Sequence, residues 1–289
     1  MIKNMSLRNS RSWFLSLSKE RVHLLLILQM FIAGKALAQS DDFGLDFGLE
    51  AEKKLAPGLK LSLEGGVRTQ DNTKSIDRYT LGLGLTYKFF STANKKFELK
   101  ANAGFDYLWT HKLSQTTLKE NFVIADQQEI HEYNHTQSYW RNRYRTSLGL
   151  TANYTPNKRW SFQLKETVQH NHYCNKDTIA VEKWRFNDDD ELFLKRIDND
   201  GPKTAKDKFV LRNKLTVTYD IKKCKLDPFL SIDYGIGLNY SANKWKYTAG
   251  ADYKLTRQGK LTAFYRYNHE DDDEEPNGHL VGFGYSFAF

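Results

Sequence analysis

An all-β fold is what this sequence predicts: a transmembrane antiparallel up-and-down β-barrel of about 12 strands. Three observations carry the prediction. Large apolar and polar residues alternate with a period close to two over almost all of residues 43–289, the spacing that puts one kind of residue on each face of a strand. The connections between alternating segments are short and long in turn. The chain is 27% charged yet 14% aromatic, with only five prolines, as expected where lipid-facing and lumen-facing residues average out along each strand.

The first 38 residues stand apart. They hold Lys3, Arg8, Arg11, Lys19, Arg21 and Lys35 against Glu20, then the apolar run "HLLLILQMFIA", then Ala36-Leu37-Ala38. A basic stretch, a short apolar core and a small-x-small site are the parts of a secretory leader. The apolar run is shorter than the roughly 20 residues a membrane helix needs. We therefore expect a signal peptide over 1–38 and one barrel domain over 39–289. Of the formal net charge of +8, the leader carries +5 and the remaining chain about +3. So small a balance removes most of the support for a nucleic-acid partner.

From residue 43 onward the alternation can be followed segment by segment. Phe43, Leu45, Phe47, Leu49 and Ala51 oppose Asp42, Gly44, Asp46, Gly48 and Glu50. Leu59, Leu61, Leu63 and Val67 oppose Lys60, Ser62, Glu64 and Arg68, and Tyr79 to Phe89 oppose Arg78 to Lys88. The pattern continues through "FELKANAGFDYLW", "YWRNRYRTSLGLTANY", "RWSFQLKETVQ", "KFVLRNKLTVTYDI", "DPFLSIDYGIGL", "KWKYTAGADYKL", "KLTAFYRYN" and "HLVGFGYSFAF". A lapse such as Glu166, on an apolar face, is expected to mark a bulge or a strand end. The glycines of "GLGLT" and "GIGLN" alternate inside strands and open no helix, so they do not form a phosphate-binding loop.

Short connections fall at 56–58, 91–95, 155–158, 222–225 and 256–260, and longer ones at 69–76, 111–137, 171–206, 239–243 and 269–278. Short turns on one side and long loops on the other belong to membrane barrels. These segments number 11, whereas bacterial single-chain barrels have even numbers with both termini on the short-turn side. Counted back from the C-terminus, segment 43–53 would begin on the long-loop side. The expectation is 12 strands, with 10 as the next choice. A hairpin hidden in 111–137 or 171–206 would change the number but not the parity.

Signal peptide, alternating strands and a C-terminal aromatic together resemble Gram-negative outer-membrane β-barrel proteins. The terminal Tyr285, Phe287 and Phe289 resemble the signal read by the barrel-assembly machinery. More narrowly, "RNRYRTSLGLTANYTPNKRWSFQLKE", "LDPFLSIDYG" and "YTAGADYKLTRQGKLTAFYRY" resemble an uncharacterised barrel family, a domain of unknown function. The resemblance implies the bacterial outer membrane, with lipid and lipopolysaccharide as surroundings. It brings no activity.

Function rests on the inward charges. Arg68, Arg78, Lys88, Lys100, Arg141, Arg143, Arg145, Lys165, Arg212, Lys214, Lys246 and Arg266 share the non-lipid face with Asp46, Glu50, Glu64, Glu98, Asp106, Asp233 and Asp252. They suit a narrow channel or transporter for small anionic or carbohydrate solutes, or equally an ion-pair network plugging a narrow barrel. Arg141, Arg143 and Arg145 lie on one face of one strand and need carboxylates or an anionic ligand. The alternatives are an interaction barrel whose outer loops bind a partner or lipopolysaccharide, and a lipid hydrolase using His170 or His172 with Ser138. We expect no catalytic and no metal site. His170-x-His172 has no third ligand in evident spacing. The acidic runs "FNDDDE" and "HEDDDEEPNG" could take Ca²⁺ but read as solvated loops. Cys174 and Cys224 fall on opposite sides of the membrane, too far apart to pair.

Overall fold

The structure, a computed structural model, describes residues 42–125, 128–186, 192–200, 203–270 and 277–289. The expected leader and the acidic stretches 187–191 and 271–276 lie outside the described residues.

Eleven strands close a barrel: β1 (Asp42–Ala56), β2 (Leu59–Gln70), β3 (Ser75–Ser91), β4 (Phe97–Lys112), β7 (Tyr139–Tyr154), β8 (Trp160–Tyr173), β11 (Lys206–Tyr219), β12 (Leu226–Gly237), β13 (Asn243–Lys254), β14 (Gly259–Glu270) and β15 (Gly278–Ala288). They are the 11 segments that alternation marks out. Neighbours pair antiparallel except at the seam, where β1 and β15 run parallel, from Asp42↔Gly278 to Glu52↔Ala288. That pairing corrects the parity argument. In an up-and-down sheet an odd number of strands makes the first and last point the same way, so they can close only in parallel. β1 does begin on the long-loop side, and no twelfth strand is needed.

The two longest connections form a separate sheet of their own. β5 (Gln115–Ala125) and β6 (Gln128–Thr136) lie between β4 and β7, and β9 (Ile179–Phe186) and β10 (Leu192–Asp200) between β8 and β11. They pair in the order β10-β9-β6-β5. Ile179 and Val181 are buried there, and Tyr133 stacks on Trp184 at 5.6 Å.

The barrel is inside-out relative to a water-soluble domain. Leu81, Leu83, Leu148, Leu150 and Leu230 point outward and are more than half exposed. Buried residues include Arg78, Arg141, Thr151, Asp233 and Thr248 from the inner face. The alternation dictates this, because successive side chains leave opposite faces of a strand. One register shift lies between Lys88 and Phe90, which puts both Phe89 and Phe90 outside. Glu166 marks neither a bulge nor an end: it pairs in regular register with Leu150 and Asn213, mid-strand, and faces outward. Outward aromatics gather at the two rims. Tyr79, Trp109 and Trp140 stack at the long-loop rim, Trp109 and Trp140 with ring centres 4.5 Å apart. Trp160, Phe162, Tyr154 and Tyr219 cluster at the short-turn rim.

Turn chemistry fits the short side. Gly58 takes a φ of 82° and its carbonyl accepts from the N–H of Lys88 at 2.8 Å, closing the β1–β2 turn against β3. Inside the barrel, Gly282 faces the Phe264 ring so closely that a Cβ there would overlap it.

Candidate functional site: the barrel lumen

Even positions of β1–β4, β11 and β13–β15 and odd positions of β7, β8 and β12 point inward, which brings the expected charges into one lumen. Three levels can be distinguished along its axis.

At the short-turn mouth the pairs are exposed. Lys60 meets Glu52 at 2.9 Å, Glu98 is shared by Lys88 at 3.1 Å and Lys100 at 3.5 Å, and Lys260 meets Asp252 at 3.0 Å. Exposed pairs of this kind contribute roughly 0–1 kcal/mol each. Lys254, the last residue of β13, donates to Asp227 at 2.7 Å, and that hydrogen bond holds its ammonium above the ordinary lysine value. A cavity of about 740 Å³ opens here, lined in part by Glu50, Lys225, Lys254, Lys260 and Ser286.

Above the mouth, Asp46 receives Arg68 at 3.1 Å and Arg266 at 3.8 Å. Arg266 lies over the Phe264 ring at 4.7 Å and donates through Nε to Thr248 at 3.2 Å. Arg212 holds Asp233 with two nitrogens, and Arg145 approaches Asp106 at 3.8 Å. Beside them a cavity of about 400 Å³ lies against the β1–β2 wall and shares Glu50, Lys260 and Ser286 with the mouth cavity. The lower lumen is thus a cup open toward the short turns.

Toward the long loops the lumen is packed. Arg78, Leu108, Arg141, Arg143, Tyr173 and Val210 are buried, Leu108 to 1% and Arg143 to 3% exposure. Arg78 pairs with Asp77 at 2.7 Å. Arg141 donates to the carbonyls of Cys174 and Thr204, both at 2.8 Å, and Arg143 to the Tyr173 hydroxyl at 2.9 Å. Arg145 bonds Asn171 at 3.0 Å. Tyr173 gathers four cations around its ring: Arg141, Arg143, Lys206 and Lys208, at 5.3–5.9 Å. The arginine ladder of β7 is therefore met by carbonyls, an amide, a phenol ring and Asp106. A cation over an aromatic face is worth about 0.5–2 kcal/mol.

The family described as "Protein of unknown function (DUF2490)" matches residues 44–279. The chain belongs to this family. The match spans the barrel from β1 into β15 and agrees with the resemblance to an uncharacterised barrel family. A search of curated proteins finds no match.

The remaining candidates of this DUF2490 barrel lie away from the lumen. His170 and His172 face outward at the long-loop rim, and both bond Oδ1 of Asp207, at 2.8 and 2.9 Å. Those bonds, His172 first, hold the Asp207 carboxyl below its ordinary value. Among the described residues neither histidine bonds a serine, and no group of three His, Cys, Asp or Glu side chains is arranged to hold a metal. Neither Cys174 nor Cys224 forms a disulfide among the described residues. Tyr285 lies on β15, Phe287 packs edge-on against Phe289 at 4.8 Å, and the Phe289 N–H donates to the Glu52 carbonyl at 2.8 Å. The last residue is hydrogen-bonded, with its ring 71% exposed.

Sequence reasoning missed Leu108, Tyr173 and Phe264 as lumen residues. Their parity gives each away: Leu108 sits two residues from Asp106, Tyr173 eight from Lys165, and Phe264 two from Arg266. Their apolar character disguised it.

Proposed function

We propose that the protein is a bacterial outer-membrane β-barrel providing a narrow, gated passage for small polar solutes, anionic and carbohydrate solutes among them. The observation that carries this reading is the pairing of an outward apolar belt with a charged lumen that is hollow on the short-turn side. In water, such a belt would far exceed the few hundred Å² of apolar patch that a soluble monomer exposes. Two rims of Trp and Tyr suit membrane interfaces. The basic stretch, short apolar run and small-x-small site within residues 1–38 support export. Lipid and lipopolysaccharide then surround the belt, with the short-turn mouth facing the periplasm.

The packed long-loop half is the gate. Planar-bilayer recording tests this: the wild-type barrel should stay closed or conduct weakly, and Leu108→Ala with Arg143→Ala should conduct steadily. Silence from both, in barrels shown to be inserted, refutes the passage. One observation favours the second reading, an interaction barrel. In the loop-borne sheet, β5 pairs only with β6 and β10 only with β9, so each has an outer edge unpaired among the described residues, and Leu118, Phe193 and Ile197 are exposed. Unpaired edges with apolar side chains recruit partners.

A further inference from the structure

Four charged side chains inside the cup make no direct contact with the ion-pair network, although Lys214 sits opposite Asp233 in the β11–β12 register. Glu50 on β1, Glu64 on β2, Lys165 on β8 and Lys214 on β11 have no hydrogen bond and no ion pair among the described residues. Their placement is not scattered. Glu50 and Glu64 are direct cross-strand partners, and so are Lys165 and Lys214. Like charges directly opposite on neighbouring strands are destabilising. In other such pairs, Arg68 with Arg78 and Lys88 with Lys100 for example, each member has a carboxylate partner, which these four side chains lack among the described residues.

The two pairs face each other. In the ring order, β11 lies five strands from β1 one way round, and β8 lies four from β2 the other way, so the pairs occupy opposite walls. Lys165 lies within electrostatic reach of both carboxylates. Nearby cations are already engaged, Lys60 by Glu52 and Lys260 by Asp252.

Room for a ligand lies beside the carboxylates. Gly48 is paired with Gly66 on one side and Gly284 on the other, so at this one level three adjacent strands present no side chain to the cavity of about 400 Å³. A Cβ at Gly48 would meet nothing within 4 Å. Thr80 and Thr262 add hydroxyls at its edge. The cavity is lined by Glu50 and Glu64 beside the ion-paired Asp46 and Asp106, and Lys165 and Lys214 stand on the opposite wall of the lumen, so it selects a solute with a charge of each sign.

We propose that the cup binds small zwitterions of the amino-acid or dipeptide class, the ammonium held by Glu50 and Glu64 and the carboxylate directed to Lys165 and Lys214. The inference deepens the solute-passage reading by naming a solute class. It also gives an opposite charge to two like-charge pairs whose members have no ion-pair partner of their own among the described residues.

The test titrates glycylglycine into the full-length protein in detergent micelles, followed by ligand-observed NMR, with butylamine and acetate as single-charge probes. Glycylglycine should bind about tenfold or more tighter than either, as charge-assisted contacts at both ends require. Glu50→Gln with Glu64→Gln, and separately Lys165→Gln with Lys214→Gln, should each weaken it about tenfold. Each double variant relieves a like-charge pair, so folding should survive, and native gel migration checks it. Absence of glycylglycine binding overturns the site, as does binding that neither double variant changes. Butylamine binding as tightly as the dipeptide also overturns it. Conductance without dipeptide binding removes this site and leaves the passage. Dipeptide binding to a barrel silent in both the wild type and the opened variant removes the passage and leaves the site.

Discussion

Asp46→Asn isolates the centre of the lumen network. The carboxylate of Asp46 lies 3.1 Å from Arg68 and 3.8 Å from Arg266, and all three side chains are largely shielded from water, at 16–23% exposure. At an effective dielectric of about 20 the two contacts represent on the order of 5 and 4 kcal/mol of gross Coulomb attraction. Repulsion between the two arginines and rehydration in a partly wet lumen offset much of this, leaving a net loss of about 2–4 kcal/mol when the charge is removed. Asparagine keeps the shape and one acceptor, so the change is electrostatic. Urea unfolding in lipid vesicles, followed by the gel shift between folded and unfolded barrel, measures it. A double-mutant cycle with Arg68→Gln should show coupling of about 1–2 kcal/mol. If Asp46→Asn shifts stability by less than about 0.5 kcal/mol, the scale of a neutral surface change, the lumen is too well hydrated for this network to matter.

Further outcomes follow from single residues. Glu166→Leu should stabilise the barrel in bilayers by about 1–2 kcal/mol, because an outward mid-strand carboxylate is costly in lipid; unchanged stability would mean that Glu166 meets water or a partner. Gly282→Ala should cost about 1–3 kcal/mol by overpacking against Phe264, and Phe264→Ala in the same chain should recover part of the loss. Because hydrogen bonds from His172 and His170 lower the Asp207 pKa, its contribution to the long-loop rim is present above the unfolded value of about 3.9. That contribution fades as the pH falls through the lower folded value. NMR titration of the Asp207 carboxyl carbon should show a midpoint below 3.9, and a midpoint at or above it contradicts the assignment.

Much of the architecture was legible because strand geometry leaves little freedom: a period of two in the sequence forces two faces, and Leu81, Leu83 and Leu85 could share a face in no other regular element. The number of strands was harder. The even-number rule outweighed a direct count, and no local feature of residues 42–56 announces a parallel partner as distant as Gly278 is from Asp42. The hairpins in the long connections were hidden because "QTTLKENFVIA" and "QEIHEYNHT" alternate poorly. In the lumen, inward direction was readable and partnership was not. Asp46 meets Arg266 across β15, where Gly282 pairs with Asp46 and interposes no side chain. Such a contact depends on barrel stagger, which no single strand encodes. For the same reason Glu50, Glu64, Lys165 and Lys214 look like any other inward charges until the pairing of all the rest is known.

The most direct test of the account is the orientation of β3 in a membrane. With Cys174 and Cys224 replaced by serine, single cysteines at residues 80–86 would carry spin labels in lipid vesicles, read for collision with oxygen and with a water-soluble nickel reagent. The account predicts that Leu81, Leu83 and Leu85 favour oxygen, as lipid-facing sites do, while Thr80, Gly82, Gly84 and Thr86 do not, with a period of two. Equal access of the nickel reagent to Leu81, Leu83 and Leu85 would contradict it, because the apolar belt would then face water.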